Sequence, residues 1–437
     1  MRSASLFNTT KQAGAAYFGD SDSRIAKGMK ETLESLALLG GVPAVTRGLA
    51  AWPIFDETER EGLNRVLESG VWGGYSPAVK AFESAFAEAH ECQYGIALAN
   101  GTLSLEAALL ACGIGPGDEV IVPPITFVAT ATAVLRVGAM PVFSDIEVTS
   151  FNLDPSLIEQ AITPRTKAIV PVHFAGHPAN VDELLRICQA HGIFLIEDCA
   201  HAHGAAWRGR KVGSFGAFGS FSFQQSKNMT AGEGGMLVTS GADLAQKAWS
   251  VANQGRSPNG AWYQHDFLGS NFRLTGFQAA VLSAQLARLP KQLAHRKKNA
   301  ERLSAALTQT GFFSPPTIAR EADTHGFHLF VIRAAGLRAA PDIPKSLLID
   351  ALAAEGVPGV SAYPQPIYEN KLFENVACVK LPCTEAETMC KECFWLTQEV
   401  LLADPGGLEG VIQAFEKVAR SIPALREAAL EPNLIRK

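Results

Sequence analysis

The stretch that decides the fold spans residues 193–204 and reads IFLIEDCAHAHG. Its four apolar residues are followed directly by two acids. A short apolar run of this kind is typical of a strand that is buried on both faces of a parallel sheet. Asp198 closes the strand, so we expect its carboxylate at the edge of the sheet where α/β proteins bind their ligands.

The same alternation continues on both sides of this strand. Short apolar runs lie at residues 96–98, 119–122, 141–143, 168–170, 193–196, 218–223 and 235–239. Segments with helical spacing separate the earlier runs, at residues 103–112, 130–137, 155–161 and 181–191. Short buried strands that alternate with helices predict an α/β fold with a mostly parallel central sheet covered by helices.

The outer parts of the chain predict further helices and a second domain. We expect helices at residues 57–69, 78–90, 275–289, 291–309 and 344–355, and a strand at 327–332. Pro290 marks the expected break between the two long helices, because proline lacks the N–H that a helix interior requires. The predicted units are an N-terminal arm (1–45), a large domain (46–290) and a smaller C-terminal α+β domain (291–437).

Composition excludes several classes of protein. The 437 residues are 47% hydrophobic and 19% charged, and 38 Lys and Arg against 43 Asp and Glu give a net charge of −5. A weakly acidic chain has no electrostatic footprint for nucleic acid or an anionic membrane surface. The most apolar stretch, residues 127–143, contains Arg136 and is shorter than a membrane span. Eight cysteines are too few for a disulfide scaffold, which favours a reducing cytoplasm.

Two features lie at the expected ligand edge of the sheet. One is able to bind an anionic group and the other a cationic group. The turn at residues 99–102 feeds a helix N-terminus, whose free N–H groups suit a phosphate; an ordinary turn capped by Thr102 is the alternative. Asp198 needs a cationic partner if it is buried, and a protonated pyridine nitrogen is one. A metal site of Asp198, His201 and His203 is disfavoured, because the histidines are two residues apart and no further ligand cluster is visible. We expect no metal.

A lysine supplies the third feature. Residues 221–235 read FSFQQSKNMTAGEGG, and Lys227 follows a strand among small polar residues and glycines. A lysine in a pocket near another cation has a lowered pKa and forms Schiff bases; a solvated loop lysine is the alternative. Residues 269–274 lend further donors to an anion or form a helix-entry turn. A turn for a phosphate, a carboxylate for a ring nitrogen and a lysine for a Schiff base, in this order along the chain, predict pyridoxal 5′-phosphate as the cofactor.

These residues resemble a known family. The landmarks are residues 51–53 (AWP), 100–102 (NGT), 115–120 (GPGDEV), 171–173 (PVH), 197–198 (ED), 232–235 (GEGG) and 269–271 (GSN). They are similar to those of the DegT/StrS family of sugar aminotransferases, and the likeness runs from about Leu36 to beyond Val400. The resemblance implies a fold-type I, pyridoxal phosphate-dependent transferase.

The resemblance assigns roles around the cofactor ring by motif. Lys227 matches the lysine that forms the Schiff base with the cofactor and then moves the proton. Asp198 matches the carboxylate that pairs with the pyridine nitrogen, and His201 occupies the position beside the ring oxygen. Phe127 matches the aromatic residue that stacks on one face of the ring, and Ala200 matches the small residue on the other face.

The resemblance also assigns the phosphate ligands. The Gly101 turn, Thr102, the backbone of Leu103 and Ser222 match ligands from the same subunit. Asn271 matches a ligand that the neighbouring subunit delivers, so the resemblance implies a homodimer with shared active sites. One departure occurs at Gln254, where many relatives have histidine, and we assign no consequence to it.

The implied activity is ping-pong transamination. The amino donor is L-glutamine or L-glutamate, and the acceptor is a keto-sugar or keto-cyclitol, as in glutamine-dependent scyllo-inosose aminotransferases. The alternative is 3-amino-5-hydroxybenzoate synthase, which aromatises a cyclic amino-keto acid. The family's 3-dehydrases carry histidine in place of lysine, so Lys227 disfavours them. Lys227 also disfavours a non-catalytic sensor with this fold.

Other motifs have an ordinary structural interpretation. Cys390 and Cys393 have CxxC spacing without a second pair, so we expect them to pack rather than to bind metal or react. His173 and His177 follow a strand, and either approach the cofactor or are packed. The aromatic loop at residues 363–368 either lines the acceptor pocket or packs between its prolines.

Overall fold

The computed structural model describes residues 35–47, 49–258 and 260–430. The polar segment up to about residue 30, predicted as the outer part of an arm, lies outside these described residues. Among the helices that are described, none has the length and apolar character to cross a membrane. All eight cysteines are free thiols, and a cytoplasmic location stays a prediction.

The described residues form twelve strands. They are β1 (Tyr94–Leu98), β2 (Glu119–Val122), β3 (Met140–Phe143), β4 (Thr166–Ile169), β5 (Phe194–Asp198), β6 (Ala206–Trp207), β7 (Arg210–Lys211), β8 (Phe218–Ser222), β9 (Gly235–Thr239), β10 (Leu329–Arg333), β11 (Val379–Lys380) and β12 (Cys393–Thr397). Eight of these strands form one sheet in the order β1-β9-β8-β5-β4-β2-β3-β11. Only β9 runs antiparallel to its neighbours within that sheet, which confirms the mostly parallel sheet.

Eleven α-helices occur in the described part of the chain. They are α1 (Glu57–Ser69), α2 (Pro77–Ala89), α3 (Gly101–Ala111), α4 (Ala129–Arg136), α5 (Val181–His191), α6 (Ala242–Ala252), α7 (Gly276–Thr310), α8 (Lys345–Ala354), α9 (Thr384–Glu392), α10 (Pro405–Arg420) and α11 (Ile422–Leu430). Helices therefore follow β1, β2, β4 and β9 along the chain. The predicted alternation of strands and helices is confirmed.

Two predictions about helices are wrong. Residues 155–161 form two 3-10 helices of three residues each, Pro155–Leu157 and Glu159–Ala161, in place of one α-helix. The predicted break at Pro290 is absent: α7 is one helix of 35 residues that contains Pro290 in its interior. The lost hydrogen bond costs about 3 kcal/mol, whereas both halves of α7 are held by buried side chains such as Leu282 and Leu303.

The C-terminal part of the chain has a hydrophobic core of its own. Strands β10 and β12 pair antiparallel, and Phe330, Phe394 and Phe415 are buried beside them in one cluster. The first half of α7 packs in a different cluster, under the large sheet. The boundary between residues 290 and 291 therefore lies inside a helix that contacts both cores, and the division into two domains stays a prediction.

A buried ion pair fastens the described start of the chain to this second core. Glu355, just after α8, accepts hydrogen bonds from the backbone N–H of Ala37 at 2.8 Å and of Ala44 at 2.9 Å. Lys417 on α10 donates to the same carboxylate at 3.0 Å, and both side chains are almost fully buried. The carboxylate is thus surrounded by donors, as a buried charge requires.

We predict that Glu355→Ala lowers the free energy of unfolding by about 3 kcal/mol, because it leaves the Lys417 ammonium buried without its anion. Urea unfolding followed by circular dichroism measures the change. Glu409→Ala is the matched control: Glu409 pairs with Arg302 at the surface, where both side chains are about half exposed. We expect that control to lose less than about 1 kcal/mol. Equal losses in the two variants would contradict the prediction.

Candidate active site

A cavity of about 900 Å³ opens at the carboxyl ends of β1, β5 and β8. Nine of the ten residues that the sequence predicted as cofactor contacts line it: Gly101, Thr102, Leu103, Phe127, Asp198, Ala200, His201, Ser222 and Lys227. The tenth, Asn271, is exposed and does not line this cavity. The carboxyl edge of the sheet thus gathers residues that lie more than a hundred positions apart.

The floor of the cavity contains the N-terminus of α3. Asn100 caps this helix and accepts the backbone N–H of Leu103 at 2.9 Å, so the cap is Asn100 and not Thr102. A Cβ on Gly101 would lie 2.7 Å from the Cβ of Ser222, and only glycine permits this close approach. The N–H groups of Gly101 and Thr102 keep no partner among the described residues, which leaves two donors for an anion.

The carboxylate of Asp198 lies at the end of β5 and is almost fully buried. Its Oδ2 accepts a hydrogen bond from the hydroxyl of Thr130 at 2.8 Å, and its Oδ1 accepts the backbone N–H of Ala200 at 3.1 Å. Burial raises the pKa of Asp198, while these hydrogen bonds and the nearby Lys227 ammonium oppose the rise. Each carboxylate oxygen retains a lone pair for one further donor.

Lys227 stands in the loop that follows β8. Burial lowers the pKa of Lys227 from 10.5 to about 8, and the attraction of Asp198 opposes part of this change. The indole N–H of Trp52 donates to the backbone oxygen of Gln225 at 2.8 Å, which ties the lysine loop to the chain that precedes α1. The loop therefore presents a partly buried lysine whose amine becomes neutral, and nucleophilic, near physiological pH.

Two buried histidines complete the wall near Lys227. His201 accepts the backbone N–H of Ala175 at its Nδ1, at 3.3 Å. Burial lowers the pKa of His201 well below its usual value, and the same holds for His328. Since the neutral ring of His201 accepts at Nδ1, its proton is on Nε2, which serves as a donor to a ligand oxygen.

The remaining walls combine apolar side chains with hydroxyl groups and come from both cores. Phe127, 61% exposed, lies on one side of the cavity. Further lining residues come from the C-terminal part of the chain and are called the C-terminal wall below: His328, Leu329, Ser361, Tyr363, Trp395 and Thr397. Of these, the sequence indicated only Tyr363, through its aromatic loop. The others follow ordinary strand patterns, which carry no signal of a ligand.

The other histidine and carboxylate groups nearby are structural. His173 donates from Nε2 to Glu197 at 3.1 Å and accepts the Ala179 N–H at Nδ1. Glu197 also accepts the backbone N–H groups of residues 213, 215 and 216. His173, Glu197 and Cys199 have metal-like spacing, but hydrogen bonds already occupy the carboxylate. The packed interpretation of His173 is thus the one that the structure supports.

The metal triad of Asp198, His201 and His203, which the sequence disfavours, is not among the metal-like groups in the described residues. His177 is also packed, since it contacts the oxygen of Pro178 and the N–H of Ala319. The two cysteines of the CxxC motif are buried at the end of α9 and the start of β12. Burial raises the pKa of both thiols to about 11, which makes them unreactive.

Comparison with known proteins identifies the family of this arrangement. The model of the DegT/DnrJ/EryC1/StrS aminotransferase family matches residues 53–415. The 3-amino-5-hydroxybenzoate synthase of Amycolatopsis mediterranei (strain S699) is 38% identical over 85% of this chain and 97% of its own. The L-glutamine:2-deoxy-scyllo-inosose aminotransferase of Streptomyces kanamyceticus is 41% identical over 78% of this chain and 82% of its own.

Solved structures agree with the fold. The crystal structure of 3-amino-5-hydroxybenzoic acid synthase superposes with a TM-score of 0.80 at 36% identity, and the match covers 86% of this chain and 99% of that one.

We predict that the amine of Lys227 reacts with an aromatic aldehyde such as pyridoxal at a lower pH than an exposed lysine does. Its pKa of about 8 means that half of the amine is neutral near that pH, so labelling fixed by borohydride rises through about pH 8. Mass spectrometry of the peptide that contains Lys227 measures the label.

Lys167, an exposed lysine on β4, is the internal control for this experiment, and Lys227→Ala is the control for the labelled site. If Lys227 labels with the same pH profile as Lys167, the described burial of its amine is wrong. Label at that peptide in the Lys227→Ala variant would show that the site of reaction is misassigned.

Proposed function

Because this chain belongs to the DegT/DnrJ/EryC1/StrS aminotransferase family, we propose that it transfers an amino group from L-glutamine or L-glutamate to the ketone of a sugar or cyclitol. As a member of the family the chain is an aminotransferase, a transferase of nitrogenous groups. The observation that carries the proposal is the meeting of Lys227 and Asp198 in one cavity with the N-terminus of α3.

The donor set of the cavity fits pyridoxal 5′-phosphate. An amine with a lowered pKa suits an aldehyde, a buried carboxylate with free lone pairs suits a protonated ring nitrogen, and two N–H groups at a helix start suit a phosphate. Lys227, Asp198 and Gly101–Thr102 supply these groups in turn. A cavity of about 900 Å³ also leaves room for a substrate beside the cofactor.

Other residues that line the cavity supply the remaining contacts with the cofactor. Phe127 and Ala200 lie where they are able to enclose a flat ring, and Ser222 adds a hydroxyl at the start of α3. The backbone N–H of Leu103 already donates to Asn100. We therefore propose that Leu103 holds the start of α3 in place and does not donate a hydrogen bond to the phosphate. His201 offers its Nε2 proton to a ring oxygen.

The chemistry divides between the cofactor and the chain. When bound, pyridoxal phosphate supplies a ring that withdraws electrons from the C–H bond to be broken and carries the amino group between the two substrates. Lys227 would accept the proton from the α-carbon of the donor at its Nζ and would release it again to complete the first half-reaction, and in the second half-reaction it would move a proton in the reverse sense. Asp198 keeps the ring nitrogen protonated throughout.

The neutral histidines favour this assignment of proton transfer. Burial lowers the pKa values of His201 and His328 well below their usual range, so neither carries a proton that it readily gives up near neutral pH. Lys227, whose pKa is about 8, is the group in the cavity that is matched to accept and donate a proton there.

The acceptor is proposed to bind between the cofactor and the C-terminal wall. Ser361, Tyr363 and Thr397 contribute hydroxyl groups on that wall, and Trp395 contributes an apolar face. A hydroxyl-rich surface beside an aromatic ring suits a polyhydroxylated ring ketone. The name of the Streptomyces kanamyceticus relative, a 2-deoxy-scyllo-inosose aminotransferase, supports an acceptor of this class.

Aromatisation of a cyclic amino-keto acid is the second candidate. It is favoured by the 38% identity to the synthase of Amycolatopsis mediterranei over 97% of that protein. Several relatives named as glutamine-dependent aminotransferases of inosose compounds match this chain over a similar length. Both reactions use the same Lys227 and Asp198, so only the substrate separates them.

We predict that the purified protein, loaded with pyridoxal phosphate, converts scyllo-inosose or 2-deoxy-scyllo-inosose to the amine with L-glutamine as donor. The screen also includes L-glutamate as donor and a cyclic amino-dehydroshikimate as acceptor. Mass spectrometry of the products decides the acceptor, and loss of the visible absorbance on addition of the donor reports the first half-reaction. The Lys227→Ala protein is the control and is expected to give no amine.

Conversion of the amino-dehydroshikimate alone would favour the second candidate and overturn the first. Loss of visible absorbance with L-glutamate but not with L-glutamine would assign the donor without changing the reaction.

We also propose a homodimer in which each cavity receives Asn271 from the other subunit. Asn271 is exposed and lies opposite Asn253 in an isolated antiparallel bridge, whose hydrogen bonds are made by the residues on either side of the two asparagines. It does not line the cavity of its own subunit. Large apolar side chains are exposed on the adjoining segments: Trp72, Tyr75, Trp262, Tyr263 and Leu268. Apolar groups exposed in this number support burial against a second copy.

Shared sites predict complementation between two inactive variants. Asn271→Asp places a negative charge against the phosphate of the partner's site, and Lys227→Ala removes the reactive amine. In a mixed dimer one cavity carries both changes and the other carries neither. We expect subunit exchange to restore about a quarter of the activity, because half of the dimers are mixed and each has one intact site.

Native mass spectrometry confirms that subunits have exchanged in this experiment. If mixed dimers form and remain inactive, Asn271 serves its own subunit and the proposal of shared sites is wrong.

A further inference from the structure

A chain of hydroxyl groups ends on the carboxylate of Asp198. Thr130, in the first turn of α4, donates its hydroxyl to Asp198 Oδ2 at 2.8 Å. The hydroxyl of Thr126, four residues earlier, lies 2.9 Å from the hydroxyl of Thr130. All three side chains are 2–4% exposed, so water does not compete for these hydrogen bonds.

The charge of Asp198 determines which group donates in each of these two hydrogen bonds. An ionised carboxylate only accepts, so the single hydroxyl proton of Thr130 points toward Asp198 and Thr130 must accept from Thr126. A protonated Asp198 would instead donate to Thr130 and reverse the order of the two hydroxyl groups. The backbone N–H of Ala200 is able only to donate to the carboxylate, so the donors around Asp198 together favour the anion, and the Thr130 hydroxyl fixes the orientation of Oδ2.

A hydrogen bond to an ionised group is stronger than one between neutral groups, especially where the surroundings are apolar. Burial raises the pKa of Asp198, and the hydrogen bond from Thr130 is the largest of the contributions that lower it. The N–H of Ala200 and the charge of Lys227 follow in order. Without the hydroxyl, burial would favour the neutral acid more strongly.

The groups that face Asp198 come from every neighbouring element. Lys227 approaches from the loop after β8, and His173 from the turn after β4; both oppose the rise in its pKa. Tyr363 approaches from the C-terminal wall as a neutral phenol, since burial raises its pKa above the usual value. Thr130 is the neighbour on α4 that donates to the carboxylate through its side chain.

A structural role does not account for the hydroxyl of Thr130. Its backbone N–H bonds to the oxygen of Phe127 at 3.2 Å, so the start of α4 is formed by the main chain. Thr132, in the same helix, shows the ordinary behaviour: its hydroxyl contacts the backbone oxygen of Ala129 at 3.4 Å. Thr130 instead turns its hydroxyl away from the helix and toward the cavity.

We propose that Thr130 is a positioning residue of this aminotransferase: its hydroxyl, oriented by Thr126, keeps Asp198 ionised and aimed at the ring nitrogen of the cofactor. The inference rests on the proposed pyridoxal phosphate site. It gives the turn at residues 126–130 two tasks, because Phe127 lines the cavity while the threonines that flank it set the charge of Asp198.

The test compares four proteins: wild type, Thr130→Val, Thr130→Ser and Thr132→Val. Valine has the shape of threonine without the hydroxyl, serine restores the hydroxyl, and Thr132→Val repeats the substitution on the same helix away from Asp198. Thermal unfolding establishes that all four fold. Binding of pyridoxal phosphate is measured by fluorescence titration, and ring-nitrogen protonation by NMR with ¹⁵N-labelled cofactor.

We expect Thr130→Val to bind the cofactor about tenfold to a hundredfold more weakly, which is the range for loss of a hydrogen bond to a charged group. The ¹⁵N resonance of the ring should move toward the unprotonated value, because the proton then lies closer to Asp198. Thr130→Ser is expected to recover most of both signals. Thr132→Val is expected to match the wild type.

Two results would overturn the inference. One is an unchanged ¹⁵N resonance and affinity in Thr130→Val. The other is an equal change in Thr132→Val, which would show that the helix and not the hydroxyl matters. Failure of the wild-type protein to bind pyridoxal phosphate would instead refute the proposed function, so the two failures are distinguishable.

Discussion

Burial of one carboxylate at the end of β5 is the constraint on which the site depends. Asp198 is almost completely removed from water, and an isolated charge in that position is strongly unfavourable. The surrounding structure compensates through the Thr130 hydroxyl, the Ala200 N–H and the charge of Lys227. Loss of contact with water also lowers the pKa of Lys227 to about 8, so one physical cause acts on both the carboxylate and the amine.

The alternation of side chains along β5 separates this task from that of its neighbour. Successive residues of a strand point to opposite faces, so Glu197 faces away from the cavity when Asp198 faces into it. Glu197 accepts hydrogen bonds from three backbone N–H groups of the loop that precedes β8 and from the ring N–H of His173. One acid holds the loops around the strand in place, while the other presents its charge to the ligand.

Much of the fold was predictable because its signals are local. Helix α1 begins and ends at the predicted residues, since Asp56 and Glu59 form a capping box and Gly70 ends the helix. Pro290 gave a misleading local signal, because packing of α7 against two cores outweighs one missing hydrogen bond. Nine predicted site residues meet in one cavity, since parallel strands bring their carboxyl ends to one edge.

By itself the sequence determined the alternating α/β architecture, the lysine and carboxylate pair, and the family resemblance, because each is carried by short motifs whose chemistry is readable residue by residue. Only the tertiary structure decided which hydroxyl reaches Asp198 and that His328 and Thr397 line the cavity. Those are contacts between residues far apart in the chain, and the packing of separate elements alone sets their distances and their exposure to water.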